Sequence, residues 1–443
     1  MVLSLFNISL IVLYFLIVFL IGLWARKRET TKEFLIAGRK IGTWQTAASI
    51  IAVVGGMLLV GQAALAYDMG FGAIWFWVGF SLGLICLGLV AKKIKTLADE
   101  HKFLTISDYI FTKFDYKTGI LSAIIFFIAF FALLVGQFIA GGSLFAPLLG
   151  ISYPVAVLIM GFGTLIYLLL GGFKAVIKTD FMQFLIMFFV FIFILFTINI
   201  GTFAPEQIDF INIGSFSIIA YLVLGIFAVF AGADVWQRIF SAKDVKTVRK
   251  GSYIAAILFV IFGVALTIIG IAAKNNFPNI DSSQALYYGL LQLVPASLVG
   301  IAVIAILAAL MSTIDTELFY LSSSIAKDFF YRRNKIMEDK IAIIIKISLI
   351  GLAIVSMGIA IFVSEILIIL FGIISLILCV SPIIVASLFW KIKNNAAFLS
   401  LIGGLIAVVF LIITGTFNPD NIALVFPAAA VFLIIGQIFF KKH

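Results

Sequence analysis

Residues 309–324 read ALMSTIDTELFYLSSS, inside a run that is otherwise apolar from about 295 to 327. A run of that length suits a spanning helix, which needs about 20 mostly apolar residues. Yet it gathers Ser312, Thr313, Asp315, Thr316 and Glu317 near its middle. A carboxylate near the bilayer centre costs about 2.5–3.5 kcal/mol on insertion scales, so such residues usually face a cavity or pathway. At about 100° per residue, Ala309, Ser312, Thr313, Thr316 and Ser323 share one narrow face, which Asp315 flanks on one side and Glu317 on the other. Back-bonding to the i−4 carbonyl accounts for lone hydroxyls in a membrane helix, but it cannot satisfy a carboxylate.

The whole chain supports a membrane setting. Of 443 residues, 64% are hydrophobic and 11% charged, with a mean hydropathy of +1.27. Soluble domains carry about 45–50% apolar and about 25% charged residues. Two His (His101, His443) and two Cys (Cys86, Cys379) cannot build a zinc or iron–sulfur site, and no Walker-type phosphate loop occurs. No nucleophile–base set is in place for covalent catalysis, so an enzyme is not expected.

Hydropathy and turn signals predict an all-α membrane protein with about 13 transmembrane helices. They lie near 5–25, 45–67, 73–94, 118–146, 151–170, 178–202 and 215–240, then near 250–273, 295–327, 341–363, 366–390, 395–415 and 421–440. With the N-terminus outside and the C-terminus cytoplasmic, 29 of the 30 Lys and Arg residues fall in loops on the inner side, Lys274 being the exception. That is the positive-inside pattern of a plasma-membrane protein. The net charge of +10 is then a topology signal facing lipid head groups, with no nucleic acid partner. The first helix precedes a basic cluster rather than a cleavage site, so it reads as retained.

Two further spans carry small or polar residues. In AASIIAVVGGMLLVG (47–61), Gly55 and Gly56 lie mid-span, which permits either close helix packing or an unwound stretch lining a cavity. The helix near 215–240 holds Gly225, Gly232 and then Asp234, which reads as an interfacial residue paired with Arg238 one turn on. Glycine-interrupted helices in corresponding positions of two halves point to a transport site. Here they open two five-helix blocks, 45–202 and 215–390. The single domain 1–443 thus divides into an N-terminal helix and loop (1–44), two inverted repeats, and two closing helices (391–443). Hydroxyls plus freed carbonyls form a neutral oxygen cage that suits Na⁺, whereas a divalent ion calls for several carboxylates.

The sequence resembles the sodium:solute symporter family over nearly its whole length. The resemblance rests on EFLIAGRKIGTWQTAASIIA (33–52), GGFKAVIKTDFMQ (171–183), QRIFSAKD (237–244) and ALMSTIDTELFYLSSSIAKDFF (309–330), in that order and on the matching helices. It implies a LeuT-type inverted-repeat core and sodium-coupled symport of a small organic solute by a monomer that needs no organic cofactor. It also implies a sodium site formed by the carbonyls of Ala52, Gly55 and Ala309 and the hydroxyls of Ser312 and Thr313. Some members hold a second sodium, and the matching residues here are Asp180, Asp315 and Thr316. Substrate contacts are expected at Gly56, Gln137 and Gln62, the last also readable as a mouth residue. The family's polar pocket positions fall on Val54, Leu59 and Gly232, whose side chains cannot hydrogen-bond a sugar hydroxyl. An amino acid or monocarboxylate is therefore expected rather than a sugar.

With no Arg or Lys expected mid-membrane, a solute carboxylate would be held by helix N-terminal amides and Gly55–Gly56. Two other readings stay open: proton coupling through Asp180 or Asp315, and a sensor that binds solute without moving it. The chain ends three residues after its last apolar run, which leaves the sensor reading without a signalling domain.

Overall fold

A computed structural model describes residues 5–26, 31–52, 55–198, 200–291, 293–295, 299–332, 338–363 and 366–440. In chain order the main helices are α1 (Leu5–Arg26), α2 (Thr31–Ile36), α3 (Thr43–Ala52), α4 (Met57–Met69), α5 (Trp75–Glu100), α6 (Ile106–Lys113), α7 (Tyr116–Leu149) and α8 (Tyr153–Leu195). They continue with α9 (Gly214–Phe230), α10 (Ala233–Ser241), α11 (Val245–Asn276), α12 (Val299–Ser324), α13 (Glu338–Phe362), α14 (Ile366–Phe389), α15 (Asn394–Ile413) and α16 (Val425–Phe439). Among the described residues, ten helical stretches are long and apolar enough to cross a membrane, or eleven if α9 and α10 count as one bent span.

Three interruptions shape the bundle. The span expected at 45–67 divides into α3 and α4, and Gly56 between them takes φ +63°, a region that side-chain-bearing residues rarely adopt. Val54 lies outside the described residues. The span expected at 215–240 divides into α9 and α10, bent by 43° at Ala231–Gly232.

The third interruption is Gly172 inside α8, with φ +50° and ψ −148°. Before it, Gly163 lies against Phe15, Tyr167 against Gly22, and Gly171 against Ala25. After it, the Gln183 amide donates to Tyr14 Oη at 2.8 Å. Residues 163 and 183 therefore flank the same turn of α1, so the chain doubles back at Gly172 without an intervening loop. The sequence had separated these arms by a short polar connection, and the helical backbone closes around the glycine instead. A similar reversal joins α4 to α5. Both pack on α11, which Gln62 meets at Thr267 and Trp77 meets at Gly263.

The outer helices expose rows of apolar side chains, such as Leu16, Leu20 and Trp24 on α1 and Val409, Phe410 and Ile413 on α15. Contiguous apolar surface of this kind is expected of a lipid-facing wall. The segment from α12 through Tyr331 is the opposite extreme, with 89% of its spanning window buried. The helix richest in polar residues is thus also the most enclosed, which places its oxygen atoms among neighbouring helices rather than lipid.

Candidate functional site

The break between α3 and α4 faces the middle of α12. Ser312 Oγ donates to the Ala52 carbonyl at 2.8 Å and lies 3.0 Å from the Ala309 carbonyl. Thr313 Oγ1 donates to the same Ala309 oxygen at 3.1 Å. Gly55 packs directly on Ala309, where an added Cβ would stand 2.8 Å from the carbonyl carbon. Its N–H donates to Ala52 O at 3.1 Å. The five residues singled out in the sequence, Ala52, Gly55, Ala309, Ser312 and Thr313, therefore meet at one place. They offer neutral carbonyl and hydroxyl oxygens, a donor set that fits a hard monovalent cation better than a transition metal.

One turn further along α12 the chemistry changes from neutral to charged. The Arg238 guanidinium on α10 is fully buried and donates from Nη2 to Asp180 Oδ2 at 2.9 Å and to Thr316 Oγ1 at 2.5 Å. Its Nε donates to Ser49 Oγ at 2.8 Å, and Ser49 in turn donates to Asp180. The face of Phe173 lies 5.4 Å from the guanidinium carbon. Asp315 points the other way, accepting from Tyr167 Oη at 2.5 Å and from Thr179 Oγ1 at 3.4 Å, while Thr316 Oγ1 reaches its Oδ1 at 3.3 Å.

Two expectations need correction here. A cation does lie in the interior: Arg238 reaches inward because Asp180 and Thr316 offer it acceptors there. Nor does Arg238 form the expected side-chain pair with Asp234. It contacts only the Asp234 backbone carbonyl, at 3.4 Å, while the Asp234 carboxylate accepts from the Val235 N–H at 2.7 Å. Asp180 and Thr316 do come together, as expected, but around Arg238.

The expected solute contacts divide. Gln137 on α7 uses Oε1 to accept from the Met57 N–H at 2.9 Å and lies directly on Gly56. Its Nε2 is buried with no hydrogen-bond partner among the described residues, so a donor remains beside the break. Gln62 spends its amide nitrogen on Ala73 O at 3.2 Å and Thr267 Oγ1 at 2.9 Å, tying α4 to α11. It also borders a small cavity of about 20 Å³ walled by Leu58, Gly61, Leu65, Phe76, Trp77 and Tyr221. Leu59 and Gly232 are both buried and supply no side-chain hydrogen bond.

Several participants were not singled out from sequence. Ser49, Tyr167 and Thr179 complete the charged cluster. Glu317, which the sequence had already marked beside the hydroxyl face, is fully buried, and neither of its carboxylate oxygens is hydrogen-bonded to a described residue. At the basic end of the bundle, Arg39 ties Asp99 (3.2 Å) to the carbonyls of Phe240 (2.8 Å) and Phe103 (2.7 Å). Asp108 pairs with Lys327 at 2.7 Å and with Arg332, and Thr105 donates to Asp328 at 3.0 Å. Burial pushes the Asp108 carboxyl up, but Lys327, Arg332 and the Leu104 N–H outweigh it and hold it below the usual carboxylate range. These contacts close that end of the molecule. A signal existed in the alternation of acidic and basic residues around 99–108 and 327–332, but pairing across more than 200 positions is not readable from one sequence.

The sequence model of the sodium:solute symporter family matches residues 34–404. The osmoregulated proline transporter OpuE of Bacillus subtilis is 26% identical, over 96% of this chain and 92% of its own length. Sodium/proline symporter 2 of Staphylococcus saprophyticus is 28% identical, over 91% and 85%. Among solved structures, a substrate-bound, outward-open Na⁺-coupled sialic acid symporter superposes with a TM-score of 0.82 at 20% identity, covering 99% of each chain. The nucleobase-cation-symport-1 family transporter Mhp1, in a closed conformation, gives a TM-score of 0.62 at 12% identity, over 92% of this chain and 96% of its own. At these identities the structural likeness establishes a shared LeuT-type fold.

Proposed function

The chain belongs to the sodium:solute symporter family, and from that premise we propose that it imports a small amino acid, proline foremost, driven by a sodium gradient. The observation that carries the reading is the Ser312 hydroxyl held between the carbonyls of Ala52 and Ala309. A sodium ion in that place binds oxygens from two helices at once, so its affinity depends on how α3 and α12 sit together. Such differential binding is what couples an ion to a conformational change.

Proline enters the reading through the names of the two transporters above, and the pocket chemistry supports it. Gln137 Nε2 offers a donor for a carboxylate oxygen beside the unwound backbone. The buried Leu59 and Gly232 leave a sugar's hydroxyls without partners, which is costly.

The same reading counts thirteen spans among the described residues: the ten long stretches, the bent α9–α10 pair, and one more from each of the reversals at Gly172 and between α4 and α5, which make two arms apiece. It arranges the spans as two inverted repeats, 45–202 and 215–390, with one helix before and two after. It places the N-terminus outside and the basic end in the cytoplasm, in keeping with the distribution of Lys and Arg.

Uptake of radiolabelled proline into proteoliposomes, driven by an inward Na⁺ gradient and repeated with K⁺ or a pH gradient, tests the proposal. Accumulation in Na⁺ alone supports it. Accumulation that follows the pH gradient and ignores Na⁺ counts against it. Sodium-driven uptake of another small amino or carboxylic acid would keep the coupling and replace the solute.

A further inference from the structure

A cavity of about 840 Å³ opens at the basic end, where the connection from α6 to α7, the turn from α14 into α15 and the end of α16 come together. Four lysines stand at or beside it, and two of them are committed to helix ends. Lys93 Nζ donates to the Leu388 carbonyl at 2.8 Å, and Lys393 Nζ donates to the Phe440 carbonyl at 2.6 Å. Gln437 ties the rim together, accepting from the Lys393 N–H at 3.0 Å and donating to the Lys391 carbonyl at 3.1 Å. The other two, Lys113 and Lys391, are exposed and have no hydrogen-bonded or ion-paired acceptor among the described residues. Lys113 Nζ has only the Tyr109 ring near it, at 5.8 Å. The carboxylate that lines the cavity, Asp115, caps α7 by accepting from the Thr118 N–H at 3.0 Å. The ammonium groups of Lys113, Lys391 and Lys393 therefore outweigh it.

The wall beside these charges is apolar and open. Phe389 and Trp390, where α14 ends, are 52% and 68% exposed and line the same cavity. Exposed Phe398 on α15 and Ile438 and Phe439 on α16 lie within one turn of lining residues, so the lipid-facing wall runs up to the rim. Trp at the end of a spanning helix marks the depth of the lipid head groups. Unpaired cations on one side and exposed rings on the other suit an amphiphile. We propose that this cavity binds the phosphate head group of an anionic phospholipid. Lys113 and Lys391 meet the phosphate, and Phe389 and Trp390 lie against the glycerol and the first methylenes of the acyl chains. A zwitterionic lipid brings an ammonium that the lysines repel, and a soluble phosphate has no apolar part to cover the rings. Basic pockets between helices at a membrane surface recognise head groups through this chemistry. The inference does not depend on which ion or solute the chain carries.

Native mass spectrometry of the purified full chain in non-ionic detergent, titrated with phosphatidylglycerol or phosphatidylcholine of equal chain length, reads the retained lipid directly. The wild type is expected to bind phosphatidylglycerol with a Kd about tenfold lower than phosphatidylcholine. Lys113→Gln/Lys391→Gln is expected to lose that preference, and Lys113→Arg/Lys391→Arg to keep it. Other basic residues at this end attract anionic lipid diffusely. Lys246→Gln/Lys250→Gln, which removes the same charge from exposed positions on α11, is therefore the control and should behave as the wild type. A wild type without preference overturns the proposal. So does a preference that survives Lys113→Gln/Lys391→Gln, or one that falls equally in the control. Should Lys113→Gln/Lys391→Gln not fold, Lys391→Gln alone is read against the same control. Inorganic phosphate that displaces phosphatidylglycerol from the wild type would assign the cavity to a free anion and overturn the lipid reading.

Discussion

Ser312 Oγ lies 2.8 Å from the carbonyl oxygen of Ala52, a residue 260 positions earlier in the chain. The contact joins the end of α3 to the centre of α12, the two elements that carry the proposed ion site. Removing both hydroxyls, as Ser312→Ala/Thr313→Ala, is expected to abolish Na⁺-driven uptake while the protein stays folded in the membrane. A ligand present at 100 times its dissociation constant stabilises the folded state by about 2.7 kcal/mol. Thermal unfolding of the wild type should therefore rise in NaCl but not in KCl or choline chloride, and the double variant should lose that difference. An undiminished sodium shift in the variant would remove these hydroxyls from the site.

Gly55→Ala places a methyl group against the Ala309 backbone, with an ideal Cβ 2.8 Å from the carbonyl carbon and 2.9 Å from Cα. Backbone cannot step aside as a side chain can, so α3 and α12 must separate. Overpacking of this kind costs about 1–3 kcal/mol. The expected outcome is a lower unfolding temperature and a weaker sodium response, read in the same assay. A fully stable Gly55→Ala protein with normal sodium affinity would contradict the close approach.

Gln137→Leu leaves the Met57 N–H without its acceptor and removes the spare Nε2 donor. An orphaned buried donor costs about 1–3 kcal/mol. If Nε2 holds the solute, the variant should show a KM for proline at least tenfold higher, with the sodium-induced rise in unfolding temperature preserved. Loss of both responses together would make Gln137 structural only.

Asp108→Asn tests closure of the basic end. The Asp108 carboxyl is held below the usual carboxylate range in the folded protein. Its contribution is therefore complete above its unfolded value of about 3.9 and is lost as pH falls through the lower folded value. A charge-assisted hydrogen bond is worth about 1.5–3 kcal/mol. Asp108→Asn should lower stability by about that amount at neutral pH, and the gap to the wild type should narrow in strong acid. A gap that persists unchanged below the folded value would assign the loss to packing.

The sequence made the meeting of the proposed ion-site residues legible because its ingredients are local. Adjacent glycines at 55–56 and hydroxyls at 312–313 mark two helices by composition alone, and an apolar surround makes each stand out. The charged cluster was only half legible. Asp180 and Thr316 could be named, but Arg238 read as an interfacial residue because i+4 spacing favoured Asp234, and helical spacing does not reveal how far a long side chain reaches inward. Gly172 was missed for a related reason. Lys174 and Lys178 beside it read as a polar connection, whereas the chain turns within hydrogen-bonded backbone and those lysines lie close to the ring of Trp24, at 5.8 and 5.4 Å. The ion pairs of Asp108 with Lys327 and Arg332 depend on tertiary closure and left no periodic trace.

The reversal at Gly172 also gives Asp180 a lever arm. Eight residues of helix separate them, a distance of ~12 Å at 1.5 Å per residue. A pivot of about 10° at the glycine would carry the Asp180 end of that arm through ~2 Å of arc. Such a displacement is comparable to the span of a hydrogen bond and would be enough to part Asp180 from Arg238. A rotation too small to disturb the packing of α8 near its fulcrum would thus be magnified at its far end into the making or breaking of the buried ion pair.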